Sequence, residues 1–174
     1  MKNSASNLVN TVTIRPAAEA DLSVINEIYN YYVLHSTCTY QEELEPLEGR
    51  QRWFRQHGAD HPIIVAEVNG QVLGWGSLSS YHARSAYRRT VENSVYVHHV
   101  HHRRGIGSRL LSELITRART RGHRAIIAAI DAEQAGSVAL HARFQFQQVG
   151  HLKQVGFKFG RWLDVIHMEL LLAE

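Results

Sequence analysis

The densest chemistry in the chain lies between residues 90 and 108, where Thr-Val-Glu-Asn-Ser-Val-Tyr-Val is followed by His-His-Val-His-His-Arg-Arg-Gly-Ile-Gly-Ser. A strand-like run enters a glycine-bearing turn that opens directly into a helix pattern. Such a junction aims several backbone N–H groups, and the positive end of the helix dipole, at one point. Glycine there lets a phosphate approach the main chain, and Arg103 and Arg104 add charge suited to its oxygens. An ordinary strand–helix junction shares these features. Two phosphate motifs are excluded: Gly105 and Gly107 lack a third glycine because Leu110 stands in its place, and no glycine precedes Lys-Ser or Lys-Thr. A pyrophosphate site of another type remains. Glu92 is a lone acid among mostly apolar strand neighbours, which suits a proton acceptor or a salt-bridged surface position. The histidines at 98, 99, 101 and 102 invite a metal, but no carboxylate or cysteine completes a shell nearby, so none is expected. Cys38, the single cysteine, lacks the histidine context of a covalent acyl carrier.

These residues need elements to position them. Residues 12–16 alternate and stop at a proline, a short first strand. Leu22, Ile25, Ile28, Tyr29, Tyr32 and Val33 recur at helical steps behind Asp21, an expected N-cap. Residues 36–40 read as a loop, and Pro46 opens a second helix closing near Gly58. Residues 62–68 and 71–78 flank Asn69-Gly70, the two-residue turn of a β-hairpin. A strand over 90–98 follows, with Val91, Val95 and Val97 on one face. The helix at 106–121 carries a stripe of Ile106, Leu110, Leu111, Leu114, Ile115 and Ala118, ending before Gly122. A buried strand over 125–130, a helix over 134–144 and strands near 146–155 and 162–172 complete one α+β domain.

Composition is consistent with this. The chain has 174 residues, 44% of them hydrophobic, which suits one domain with a real core. Residues 1–11 are expected to be a tail and 12–174 the domain. A formal charge of +3, from 19 Lys and Arg against 16 Asp and Glu, falls short of a nucleic-acid binder. Seven arginines between 103 and 124 read as a solvated helix face or as attraction for a small polyanion. No apolar run reaches the ~20 residues of a membrane helix, and the first ten residues are not expected to act as a signal peptide. A soluble cytoplasmic domain, binding neither nucleic acid nor membrane, is expected.

Around the glycine turn the chain resembles the GCN5-related N-acetyltransferases, whose acetyl-CoA signature is Arg/Gln-x-x-Gly-x-Gly/Ala. IYNYYV (28–33), WF (53–54), TVENSVYV (90–97), RGIG (104–107), SVALH (137–141) and VGFKFGRWLD (155–164) are similar, in order and spacing, to the phosphinothricin and methionine sulfoximine acetyltransferase branch. The resemblance spans about residues 12–172. It departs at His102, where Arg or Gln is preferred, and at Arg103, where glycine is frequent. Gln134 replaces a cofactor-bonding asparagine, Ala142 a polar residue, and Gln145 the glycine of a Leu-Gly-Phe helix ending.

The resemblance implies a twisted, mixed, mostly antiparallel sheet of about seven strands flanked by about four helices. It implies acetyl-CoA as cosubstrate, held by Val95, Tyr96, Val97, Arg103, Arg104, Gly105, Ile106, Gly107, Ser108, Gln134 and Arg143. The acetyl group would pass directly to the amine of a small amino-acid-like acceptor. Glu92 would be the general base, main-chain donors near Val97 would polarise the thioester, and His141 would be a general acid. An imidazole near pKa ~6.5 can relay protons, although a histidine packed beside Leu140 and bonded to backbone reads equally well. Arg84, Tyr87, Arg88, Thr90, Lys158 and Phe159 are the acceptor-pocket candidates, because an arginine fork suits carboxylate or phosphinate. Tyr29, Asn30, Thr37 and Thr39 are weaker ones. A homodimer is implied as well. Competing readings are another acceptor, such as a polyamine or a protein N-terminus, and a non-catalytic acyl-CoA sensor.

Overall fold

The computed structural model describes residues 11–172, so most of the expected tail lies outside it. Seven strands form one sheet: β1 (Thr13–Pro16), β2 (Ile63–Val68), β3 (Gln71–Ser80), β4 (Thr90–Val97), β5 (Ala125–Asp131), β6 (Gln147–Lys158) and β7 (Arg161–Leu171). Four α-helices flank it: α1 (Leu22–His35), α2 (Leu47–Arg55), α3 (Ile106–Thr120) and α4 (Ala135–Arg143). The sheet order is β1-β2-β3-β4-β5-β7-β6. Every pairing is antiparallel except β4–β5, whose parallel strands need a crossover that α3 supplies.

The apolar run of β2 is continuous because both sheet faces are covered. Ile64 and Ala66 join the α3 stripe in one core, with Val91, Ile126 and Phe146. Ile63 and Val65 turn to the other face and pack with Leu22, Ile25, Ile28 and Tyr32 of α1 and with Trp75. Every residue of the α3 stripe is buried. At ~25 cal/mol per Å² of apolar area, such a stripe is the main force holding α3 on the sheet.

Asp21 stands before α1, but its side chain does not cap the helix. The carboxylate instead pairs with Arg15 at 2.7 Å and accepts the Ala18 N–H at 2.8 Å, so a strand cation outcompetes the helix end for it. The arginine-rich stretch also divides. Arg117 pairs with Glu113, Arg109 donates to the Val12 carbonyl and Arg124 to that of Leu172. Arg103 and Arg104 remain exposed at the turn before α3.

The β4–β5 pairing positions the site. It runs only through Thr90–Ala125, Val91–Ile126 and Glu92–Ile127. β4 then continues to Val97 while β5 turns wholly to β7, pairing with it from Ala125 through Asp131. The sheet therefore splits open just beyond Glu92.

Candidate active site

A cavity of about 260 Å³ fills the split. Its walls come from β4 (Glu92 to Tyr96), β5 (Ala128 to Asp131), α4 and its N-cap (Ser137, His141 and Gln134) and the α1–α2 loop (Cys38, Thr39, Tyr40). Along β4 the even residues bond to β3, as seen where the chain continues with His98 N–H donating to the Leu73 carbonyl. Alternation leaves the N–H groups of Asn93, Val95 and Val97 facing the split, where no strand accepts them. The Val97 carbonyl is taken by the Tyr32 hydroxyl and by His102 Nε2 at 3.2 Å. His102 thus pins the turn to the end of β4.

The turn itself is shaped for an anion. Gly105 is the N-cap of α3 with φ +79°, and a Cβ there would meet nothing within 4 Å, so one side of the helix start is open. Free N–H groups and the helix dipole converge on that side. Arg103 holds φ +59°, which explains why glycine is frequent at this position in the branch. Gly107 does something else: its Cβ would lie 3.4 Å from Leu140 and 3.7 Å from Val97, against side chains of the fold. The Cα side of Gly107 therefore seats α3 against β4 and α4, while its main-chain N–H, in the first turn of the helix, stays free for a phosphate. These features fit a diphosphate at the turn and a pantetheine arm along the split.

Glu92 is half-buried at the head of the split, and burial pushes its carboxyl above the ordinary range, with His167 and His82 opposing. His141 is buried. Its Nδ1–H donates to the Ser137 carbonyl at 2.8 Å, and its Nε2 accepts from Asn93 Nδ2 at 3.0 Å. Burial also lowers its pKa, so the imidazole is neutral with both nitrogens engaged. Of the two roles open at the sequence level, this geometry matches the backbone-bonded histidine. Asn93 Oδ1 is buried without a partner. Burial pushes the Cys38 thiol up, which disfavours a thiolate nucleophile.

Other candidates are dispersed. Gln134 lines the cavity and reaches across it, its amide donating to Thr37 Oγ1 at 3.2 Å. Arg143 lies with Arg119 and Gln145 in a recess between α3 and α4. Arg84 and Arg88 line a third recess with His82 and Arg121, while Tyr87 packs on Tyr81 and His82. Thr90 sits opposite Ala125. None of these four lines the cavity at Glu92. Lys158 is buried rather than offered to a ligand, donating at 2.8 Å to the carbonyls of Ser36 and Thr39. It ties the β6–β7 hairpin to the α1–α2 loop. Phe159 is exposed at the hairpin tip. Tyr29 bonds to Thr39 and Gln41, and Asn30 to Glu45, within the same loop.

The structure adds Tyr40 and Asn93. Tyr40 donates to Asp131 Oδ2 and the Asp164 carbonyl, both at 3.0 Å, bracing the loop against β5 and β7. Its ring leaves no room at Gly156, where a Cβ would lie 2.3 Å away. No local pattern marks Tyr40. Asn93 was open to detection, because strand alternation puts it on the face of Val91 and Val95, where an amide needs a partner.

A sheet split beside a helix N-terminus, with a half-buried acid at its head, is the frame of an acyl-CoA-dependent transferase. A sequence model of the acetyltransferase (GNAT) family matches residues 25–146, and the chain belongs to that family. Its relatives include the L-methionine sulfoximine/L-methionine sulfone acetyltransferase of Salmonella typhimurium, 40% identical over 94% of this chain and 96% of that protein. Among solved structures, a putative acetyltransferase from Salmonella typhimurium with its cofactor acetyl-CoA superposes with a TM-score of 0.91, at 39% identity, covering 94% of this chain and 95% of that one. A phosphinothricin acetyltransferase from Sinorhizobium meliloti, in complex with acetyl-CoA, gives 0.89 at 40% identity, covering 93% and 89%.

Proposed function

We propose that this protein transfers an acetyl group from acetyl-CoA to the amine of a small amino-acid-like acceptor of the methionine sulfone, methionine sulfoximine or phosphinothricin type. The observation that carries this reading is the split between β4 and β5, with its unpaired N–H groups, the open turn at Gly105 and the carboxyl of Glu92 on one cavity. Acetyl-CoA supplies the activated acyl group. The N–H groups of Ile106, Gly107 and Ser108, with Arg103 and Arg104, hold its diphosphate. Val95 and Val97 N–H groups hold its arm and acyl carbonyl, a preorganised donor set that works best where water is excluded. Gln134 lines the same passage.

Glu92 takes the proton from the acceptor amine. Its raised pKa brings it closer to the amine's, which favours that transfer. His141 is a positioning residue that fixes Asn93 at the cavity wall. The relatives' acceptors support the amino-acid class. No helix among the described residues is long and apolar enough to cross a membrane, and we place the reaction in the cytoplasm, in a homodimer joined through the β6 edge.

The test is acetyl-CoA-dependent thiol release with methionine sulfone, methionine sulfoximine and phosphinothricin. Release with at least one, and weaker release with a polyamine or an N-terminal peptide, is expected. Acetyl-CoA binding without release for any acceptor would leave a sensor instead.

A further inference from the structure

A second cavity, of about 390 Å³, lies on the α1–α2 face of the sheet and shares Ser94 and Tyr96 with the first. Arg50 of α2 is 5% exposed on its wall. The guanidinium carbon stands 4.4 Å from the Tyr29 ring centre, 4.7 Å from that of Trp53 and 5.5 Å from that of Trp75. Its Nε donates to Asn26 Oδ1 at 3.2 Å. Among the described residues it forms no ion pair, and no hydrogen bond of its terminal nitrogens is found. Trp75 Nε1, on the same wall residue set, is buried without a partner.

A buried guanidinium without an ion pair is costly, and the Glu45 carboxylate acts on it only through space. Three aromatic faces supply about 0.5–2 kcal/mol of cation–π attraction each at best, which does not replace lost hydration. The complement to a planar fork of N–H donors is a planar oxyanion. Charges around this cavity are Arg50, Arg52 and Glu45, and the Glu45 carboxylate also accepts from Gln41.

The β3–β4 ladder connects this cation to the proposed base. Trp75–Tyr96, Ser77–Ser94 and Ser79–Glu92 are cross-strand pairs on one face, and Ser77, Ser79 and Ser94 line the cavity. Two steps of the ladder span roughly 13 Å. Shortened by the reach of the two side chains, that span suits an α-amino acid with a hydrogen bond of ~2.8 Å at each end. We infer that Arg50 is the anchor for the α-carboxylate of the acceptor, with the serines between, so that the amine is presented to Glu92. This rests on the acetyltransferase reading and names the part of the acceptor that the site recognises.

The test pairs methionine sulfone with its carboxamide, which lacks the anion. In steady-state assays Arg50→Gln should raise KM for the acid at least ~30-fold with kcat within about threefold, and should abolish the wild-type preference for acid over amide. Retention of that preference in Arg50→Gln overturns the proposal. Binding is read separately, without acetyl-CoA, by the emission of Trp53 and Trp75. A saturable change with the acid at concentrations where the amide gives none is expected in the wild type, and its loss in Arg50→Lys, which keeps the charge but not the fork. Equal responses to acid and amide, or an unshifted titration in Arg50→Lys, overturn the assignment even if no acceptor is acetylated. Failure of thiol release with a carboxylate-selective emission change would instead count against the transferase reading alone.

Discussion

Glu92 has opposite effects on turnover and on stability. Glu92→Gln should cut turnover at neutral pH by ~100-fold or more, within the usual span for a general base, while leaving acetyl-CoA affinity near wild type. Unchanged turnover would remove Glu92 from the base role. Because burial raises its folded-state pKa, ionised Glu92 opposes folding: its contribution is favourable below the unfolded pKa and is lost as pH rises through the raised one. Glu92→Gln should therefore melt higher than wild type at pH 7–8 and lose that advantage below about pH 4, near the unfolded carboxyl value. A lower melting temperature at neutral pH would contradict the burial argument. Gln145 gives a second residue-scale case. It holds φ +67° after α4, where the branch carries glycine. Gln145→Gly should stabilise by about 0.5–1 kcal/mol, read as a higher urea midpoint at constant slope.

Among the elements, the α1–α2 loop and the β6–β7 hairpin form one unit through Lys158 and Tyr40. Lys158 caps two loop carbonyls, that of Thr39 in a buried bond, and Tyr40 braces the same loop from the cavity side. Lys158→Met keeps the length of the side chain but strands both carbonyls. It should cost about 1–3 kcal/mol in chemical denaturation and raise the acceptor KM more than it lowers kcat. A stable variant with an unchanged KM would show that the loop is held by other contacts. Gly107→Val, by contrast, should act through packing of α3 against Leu140 and Val97. Its loss of cofactor affinity should be accompanied by a lower melting temperature without ligand.

At the scale of the whole molecule, β6 is a twelve-residue edge strand carrying exposed Val149, Leu152, Val155 and Phe157, with exposed Trp162 beside it on β7. Long apolar edges are normally covered or blunted by charge. Sedimentation should show a dimer for the wild type and a monomer for Leu152→Lys/Val155→Lys; a dimer unaffected by both charges would place the interface elsewhere. The division between what was legible and what was not follows the range of the forces. Elements and their order could be read from residues 12 to 172 because periodicity, the Asn69-Gly70 turn and the apolar α3 stripe are local patterns, and the motif pair at 90–97 and 104–107 pointed to the site on the same ground. Distant partners were not readable. Lys158 meets Ser36 and Thr39 across 122 and 119 residues, and Tyr40 meets Asp131 across 91. Arg50 lies 42 positions before Glu92, on a helix whose motif, Trp53-Phe54, does not include it. The sequence alone determined which segments fold and which turn can face a phosphate, since those depend on neighbours along the chain. Only the tertiary structure decided which cations are already satisfied, because a buried charge is defined by what surrounds it in space.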